Sequence, residues 1–150
     1  MTSQQLTSTS AEETQRLAGE FARRVQPGDW VGLTGPLGAG KSVWVRGMAR
    51  GLGITEPVVS PSFTLVNVYR SRLCVCHVDL YRIRSADELM DFGLDTLDDH
   101  DTIVAVEWAD RLPEVEFAFH WLIDIQRTGE HGRMITLREL KRAAAGEGRQ

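Results

Sequence analysis

Apolar residues recur at two spacings along this chain, and the changes from one to the other mark out its elements. Leu17, Phe21 and Val25 lie four apart, the spacing of one helical face. Ser10-Ala11-Glu12-Glu13 reads as a capping box that opens this helix, and Pro27-Gly28-Asp29 is expected to end it. Trp30–Thr34 (WVGLT) is a strand-forming run. A glycine-rich stretch follows, then a helical pattern from Lys41 to about Arg50 that stops near Gly51 to Gly53. Residues 54–62 (ITEPVVSPS) carry two prolines and read as a loop. Two β-rich runs, residues 63–69 and 73–79, are joined by Arg70-Ser71-Arg72, a spacing that predicts an antiparallel hairpin. A polar helix over about 86–92 leads to Gly93 and a second short acidic segment, 94–101. Residues 102–106 (TIVAV) form a buried-type strand, and residues 117–125 and 133–138 read as two more, with RTGEHG turning between them.

The first half of this order interleaves strands and helices, whereas the second half is strand after strand. A purely parallel doubly wound domain would carry more helices, so hairpins must supply part of the sheet. The expectation is an α/β domain with a mixed parallel/antiparallel sheet, folded over residues 10–142, between a flexible or extended N-terminus (1–9) and a flexible tail (143–150). The 150 residues suit one core, and the apolar and charged fractions, 42% and 25%, are ordinary for a soluble protein. No apolar run approaches a membrane span, and MTSQQLTSTS lacks the charged and apolar regions of a signal peptide. A cytoplasmic location is expected. Cys74 and Cys76 lie two apart in a strand, point to one face and cannot readily bridge; reduced thiols fit that compartment. A net charge of −4 argues against gripping nucleic acid by bulk electrostatics, while leaving room for a nucleic-acid substrate held by a partner.

Gly35 to Ser42, GPLGAGKS, supply the chemistry. They match G-x-x-x-x-G-K-[ST], the phosphate-binding P-loop, and lie between a strand and a helix as that motif requires. Backbone N–H groups of such a loop cradle phosphate oxygens, and the helix N-terminus adds positive potential. Gly35, Gly38 and Gly40 supply turns that side chains would obstruct. Lys41 is expected to reach the β- and γ-phosphates, and the Ser42 hydroxyl to help hold Mg²⁺. The fold class is therefore that of a P-loop NTPase-like three-layer domain.

Hydrolysis needs a metal-holding acid and a residue that places water. Asp79 and Glu107 each end an apolar strand, where ligands of α/β sheets bind. Asp79 would ligate Mg²⁺ directly or through water beside Ser42, and Glu107 would contact the metal shell or orient water; the two roles are interchangeable at this point. Thr64, in SPSFTL, is either a γ-phosphate sensor or a surface strand residue. His77 faces the same side as Asp79 and is either its neighbour in the site or an ordinary strand histidine. Trp108 is either a core aromatic or part of a partner surface. Arg127, Arg133, Arg138, Lys141 and Arg142 form either a docking patch or a solvated face.

Taken in order, these residues resemble the TsaE family, the bacterial ATPase of tRNA threonylcarbamoyladenosine biosynthesis. The shared elements are Ser10, Glu12, Glu13 and Thr14; Gly28-Asp29; Leu37 to Ser42; Ser60 to Leu65; His77 to Arg82; Gly93-Leu94; and Val106 to Trp108. Together they span about residues 10–138. The resemblance implies that Gly38, Ala39, Gly40, Lys41, Ser42 and Val43 bind nucleotide. It also implies that Ser42 holds Mg²⁺, that Thr64 lies in a switch-like loop, and that Asp79 and Glu107 are the active-site acids. The region near Ser10 would approach the adenine. Pro36 stands where the family usually has an acid, and Ala109 where proline is common after the tryptophan. Neither departure removes a catalytic group. The implied cofactors are ATP and Mg²⁺. The implied partners are TsaB and TsaD homologues, with tRNA reached through their complex and hydrolysis weak without them. Two other readings share the P-loop: a small-molecule kinase, and a nucleotide-gated binding module with little hydrolysis. A GTPase is disfavoured because no N-K-x-D sequence is found.

Overall fold

Two strands at the middle of the chain are buried at every position. A strand is apolar on both faces only when both faces are covered, which is the situation of a parallel sheet. The computed structural model of the chain, which describes residues 2–61, 66–85, 87–88, 101–112 and 119–140, puts them side by side. They are β4 (Cys74–Asp79) and β5 (Thr102–Glu107). The other elements are β1 (Thr2–Ser8), α1 (Ala11–Phe21), β2 (Trp30–Thr34), α2 (Lys41–Gly51), β3 (Val66–Arg70), β6 (Trp121–Arg127) and β7 (Arg133–Glu139). Among the described residues the strands form one sheet in the order β1-β7-β6-β2-β5-β4-β3. The centre is parallel: β2 pairs with β5 and β6, and β4 pairs with β5. Antiparallel pairs flank it, β3 with β4 on one side and β6, β7 and β1 on the other. The expected mixed sheet and the expected hairpin before Asp79 are both present.

Alternation along the strands sorts side chains between two cores. Val31, Leu33, Val75, Ile103, Ala105 and Ile123 meet the two helices, where Phe21 packs edge-on against Trp121 with ring centroids 4.9 Å apart. Cys76, Val78, Val104 and Val106 point to the other face and pack with Leu80, Ile83, Ala109, Leu112 and Phe119. Cys74 and Cys76 are both free, as their spacing implied, and both are buried. Burial pushes the Cys76 thiol up to about 12, so it stays protonated and behaves as a small apolar side chain. Residues 86–92, read as a helix, fall outside the described residues except for 87 and 88, and the tail at 143–150 falls wholly outside them. No helix among the described residues is long and apolar enough to cross a membrane.

Two expectations need correction. The N-terminus is not a loose segment: Thr2–Ser8 pairs along its length with β7, with Leu6 opposite Ile135. Its mostly polar side chains suit an edge strand, which is held by main-chain pairing with β7 and by Leu6, packed against the core. Helix α1 ends at Phe21, well short of Pro27. Residues 22–29 are needed to turn the chain back to the sheet. Gly28 donates its N–H to the Thr102 carbonyl at 2.8 Å, and buried Asp29 accepts from the Gln26 N–H at 2.8 Å. Val25 is still buried, outside the helix. The cap at Ser10 forms as expected, its Oγ accepting from the Glu13 N–H at 3.0 Å; Glu13 reaches back to the Thr9 N–H at 2.7 Å.

Helices α1 and α2 touch backbone to backbone. A methyl group on Gly47 would lie 2.4 Å from the Gln15 carbonyl oxygen, an atom that cannot rotate away. Gly47→Ala should therefore lower stability. Helix propensity alone favours alanine by about 1 kcal/mol, but forcing a methyl into a filled contact costs roughly 1–3 kcal/mol. Thermal melts of the two proteins measure the balance, and a variant that melts at or above the parent would contradict this account of the contact.

Candidate active site

The P-loop rests on β6. Gly35 has φ +136°, and a Cβ there would lie 2.2 Å from the Ile125 carbonyl oxygen, so no side chain fits between loop and strand. Gly40, at φ +110° and ψ 23°, turns the loop into α2 in a conformation that side chains resist. The next residue, Lys41, is buried. Its Nζ donates to the carbonyls of Gly35 at 2.7 Å and Pro36 at 2.9 Å, across the mouth of the loop. It also lies 3.9 Å from the centre of the Trp108 ring, a cation–π contact. Trp108 itself adopts φ 59°, ψ 44°, the one non-glycine residue with positive φ among those described, and packs on Tyr81 with centroids 4.8 Å apart.

Register decides where the acids stand. The parallel pairing of β4 with β5 sets Asp79 opposite Glu107, and alternation puts both on the helix side of the sheet with His77. Both carboxylates are buried. Ser42, in the first turn of α2, donates its hydroxyl to Glu107 Oε2 at 2.6 Å. His77 Nε2 lies 2.5 Å from that same oxygen. Asp79 Oδ1 accepts from the Tyr81 N–H at 2.8 Å. Burial pushes the Asp79 carboxyl above the usual value, helped by the nearby Glu107 charge and opposed by the Tyr81 N–H, His77 and Lys41. Burial lowers the Lys41 ammonium, and Glu107, Asp79, Asp110 and Asp124 pull it back up. Glu107, Asp79, Ser42 and Lys41 thus form one electrostatically coupled cluster at the strand ends.

A cavity of about 110 Å³ opens on the other side of the loop, between Ser10, Ala11, Gly40, Val43 and Arg133. Ala39 contributes to its wall as well. The expected binding residues Ser10, Ala39, Gly40 and Val43 therefore meet at one hollow, next to the Lys41–Glu107 cluster. The Ser10 hydroxyl is committed to its helix cap, so Ser10 serves this hollow as a wall. Thr64 lies outside the described residues.

The chain as a whole is similar to known proteins. The chain matches the family described as "Threonylcarbamoyl adenosine biosynthesis protein TsaE" over residues 8–135. It is 35% identical over 130 residues to the TsaE of Treponema pallidum, covering 87% of this chain and 96% of that one. It is 40% identical over 126 residues to the TsaE of Bacillus subtilis, covering 83% and 78%. The chain belongs to the TsaE family. Its structure superposes on the crystal structure of Bacillus subtilis YdiB with a TM-score of 0.72 at 31% identity, covering 93% of this chain and 87% of that one. The TsaE resemblance read from the motifs and the P-loop NTPase-like fold are both upheld, and with the family comes a role in tRNA threonylcarbamoyladenosine biosynthesis.

The TsaE fold also recruits residues that sequence reasoning valued differently. Arg133, grouped above with a surface basic patch, donates from Nε to the Ala39 carbonyl at 2.8 Å and from Nη2 to the Gly38 carbonyl at 3.4 Å. It clamps the P-loop from β7. Its only sequence signal is a place at the start of a strand, since the partner carbonyl is 94 positions away. Asp124, not singled out in the sequence, accepts from the Thr34 hydroxyl at 2.7 Å beneath the loop. Of the remaining basic residues, Lys141 and Arg142 lie outside the described residues.

The raised Asp79 has a consequence for stability. The folded chain holds this proton to higher pH than the unfolded chain does, so folding loses stability as pH rises from near the ordinary aspartate value of 3.8 through the folded-state value. Asp79→Asn keeps the oxygen that meets Tyr81 and removes the charge. In metal-free buffer it should be more stable than the parent at pH 7, and its stability should decline less between pH 4 and pH 7. Denaturant titrations across that range test this; identical pH profiles would show that the Asp79 charge is not penalised.

Proposed function

We propose that the chain is a Mg²⁺-dependent ATPase that supports tRNA threonylcarbamoyladenosine formation together with TsaB and TsaD homologues in the cytoplasm. The observation that carries this reading is the Ser42–Glu107 hydrogen bond beside Asp79 at the head of the P-loop helix. The residues present fit both cofactors. Gly35 and Gly40 hold the loop in backbone conformations that side chains resist, and the hollow beside it, walled by Ala39, Gly40, Val43 and Ser10 with Arg133 at its edge, offers a place for a base. The donors near Ser42 are hard oxygens, the kind Mg²⁺ prefers. Ser42, Asp79 and Glu107 would hold Mg²⁺, which supplies charge neutralisation on the phosphate oxygens.

The chain's own groups have distinct tasks in this reading. Backbone N–H groups of Gly38 to Val43 bind phosphate at the helix start. Lys41 exchanges the two carbonyls it now holds for phosphate oxygens. Glu107, joined directly to Ser42, fixes the metal-facing hydroxyl, the position of a Walker-type acid, while Asp79 completes the negative field. Thr64 senses the terminal phosphate. Rim residues Leu37 and Tyr81 are 75% and 49% exposed, and half-buried Trp108 touches both Tyr81 and Lys41. An apolar rim of this kind suits a protein partner, and its contact with Lys41 gives the partner a route to the phosphate site. Weak hydrolysis by the isolated chain follows if that geometry needs ordering from outside.

Phosphate release from ATP, measured with and without TsaB and TsaD homologues, tests the proposal. Release should be slow for the chain alone, rise with the partners, and vanish in Lys41→Ala. Glu107→Gln should keep nucleotide binding better than turnover, losing roughly tenfold to a hundredfold in rate. Partner-independent transfer of phosphate to a small acceptor would replace the ATPase with a kinase. Nucleotide binding without release under every condition would reduce the chain to a nucleotide-gated module.

A further inference from the structure

His77 is fully buried on β4, and the functions above make no use of it. Its Nε2 lies 2.5 Å from Glu107 Oε2, while its Nδ1 has no hydrogen-bond partner among the described residues. Glu107 Oε2 is also the oxygen that accepts from Ser42 Oγ. We propose that His77 is a positioning residue for Glu107: with Ser42 it occupies Oε2 from two sides, leaving Oε1 as the oxygen offered to the metal shell or the attacking water.

The argument is one of satisfied lone pairs. A carboxylate oxygen has two lone pairs in its plane. Ser42 and His77 use those of Oε2, whereas Oε1 takes no hydrogen bond among the described residues. A carboxylate held by one oxygen alone can rotate and present either; held from two directions, it has one free face. An ionised Glu107 has no proton to give, so Nε2 must carry the hydrogen and donate. In the neutral ring Nδ1 is then the bare nitrogen, an acceptor left without a partner, which is a smaller cost than an unpaired buried N–H together with two acceptors in contact. The alternative tautomer would bury an unpaired N–H and set two acceptors against each other at 2.5 Å. Chain geometry provides this placement without any loop: His77 stands opposite Ala105 in the β4–β5 register, two residue pairs below Asp79 opposite Glu107 and therefore on the same face. The histidine side chain reaches past the small Ala105 to the carboxylate on the same face. This is the same device by which outer groups orient metal-binding side chains in other proteins.

The inference rests on the ATPase reading for its functional consequence but not for its geometry, and two measurements separate them. The first uses the metal-free, nucleotide-free chain labelled with ¹⁵N on histidine. His77 should show a protonated Nε2 and an unprotonated Nδ1, with its N–H proton far downfield and slow to exchange. That proton should move upfield in Glu107→Gln. A protonated Nδ1 with bare Nε2, or an N–H signal indifferent to Glu107→Gln, overturns the proposal whatever the chain's activity. The second compares His77→Gln, whose amide can donate from near the Nε2 position, with His77→Leu, which cannot donate. With partners present, His77→Leu should lose about tenfold to a hundredfold in kcat with KM for ATP largely kept, and His77→Gln should recover most of the loss. Equal kcat in the parent and a folded His77→Leu overturns it. If His77→Leu does not fold, His77→Gln alone decides: near-parent kcat supports donation from this position, and a leucine-like loss in the folded glutamine variant refutes it. A parent chain with no ATPase activity under any condition would sink the ATPase reading while leaving the first measurement decisive for the pinning of Glu107.

Discussion

Asp79 and Glu107 stand side by side at the ends of two buried parallel strands, and the rest of the site is a response to that fact. Two carboxylates out of water repel each other and lose hydration, a cost of several kcal/mol per ion unless partners offset it. The chain answers unequally. Glu107 receives two side-chain donors, Ser42 and His77. Asp79 receives one backbone N–H and is pushed toward holding its proton. Lys41 sits close enough to feel both charges, yet its ammonium is bonded to P-loop carbonyls and covered by Trp108. The result is a concentrated negative field beside a cation-bearing loop, a combination suited to a metal ion and an anionic phosphate arriving together.

The architecture explains why these groups meet. The four central strands run in parallel, so β2, β4, β5 and β6 deliver Thr34, Asp79, Glu107 and Asp124 to one end of the sheet. The P-loop leaves β2 at that end and can lie flat on β6 because Gly35 has no side chain. The same economy of volume at Gly47 lets α1 press against α2, which carries the capped start of α1 to the flank of the loop and forms the hollow at Ser10. The hairpin β6–β7 then returns Arg133 to hold the loop's carbonyls. Loop, acids and hollow are therefore consequences of one packing scheme.

Much of this was legible in the sequence because local chemistry demanded it. The glycines of GPLGAGKS, the apolar runs that end in Asp79 and Glu107, and the capping signal at Ser10 each operate within a few residues, and each led to the observed element. Thr2–Ser8 was not legible as a strand, because an edge strand with mostly polar side chains carries little apolar alternation and depends on a partner far along the chain, Arg133 to Glu139. The early end of α1 was missed because the turn at Gln26 to Asp29 closes onto Thr102, a contact the helical pattern does not encode. Arg133 and His77 were noticed, but their roles depend on strand register. Which acid meets Ser42 is set by strand order, since β5 lies beside β2 and β4 one strand further out, so the sequence left Asp79 and Glu107 interchangeable where the fold distinguishes them.

The central claim is that loop, hydroxyl and strand-end acids make one site for a metal–nucleotide pair. Calorimetric titration of ATP into the isolated chain tests it most directly, once in Mg²⁺ and once in a chelator. The account predicts one nucleotide per chain, bound more tightly with Mg²⁺ because the cation offsets the repulsion between the phosphates and the Asp79–Glu107 pair. Binding that is absent, or equally tight with and without Mg²⁺, would contradict it.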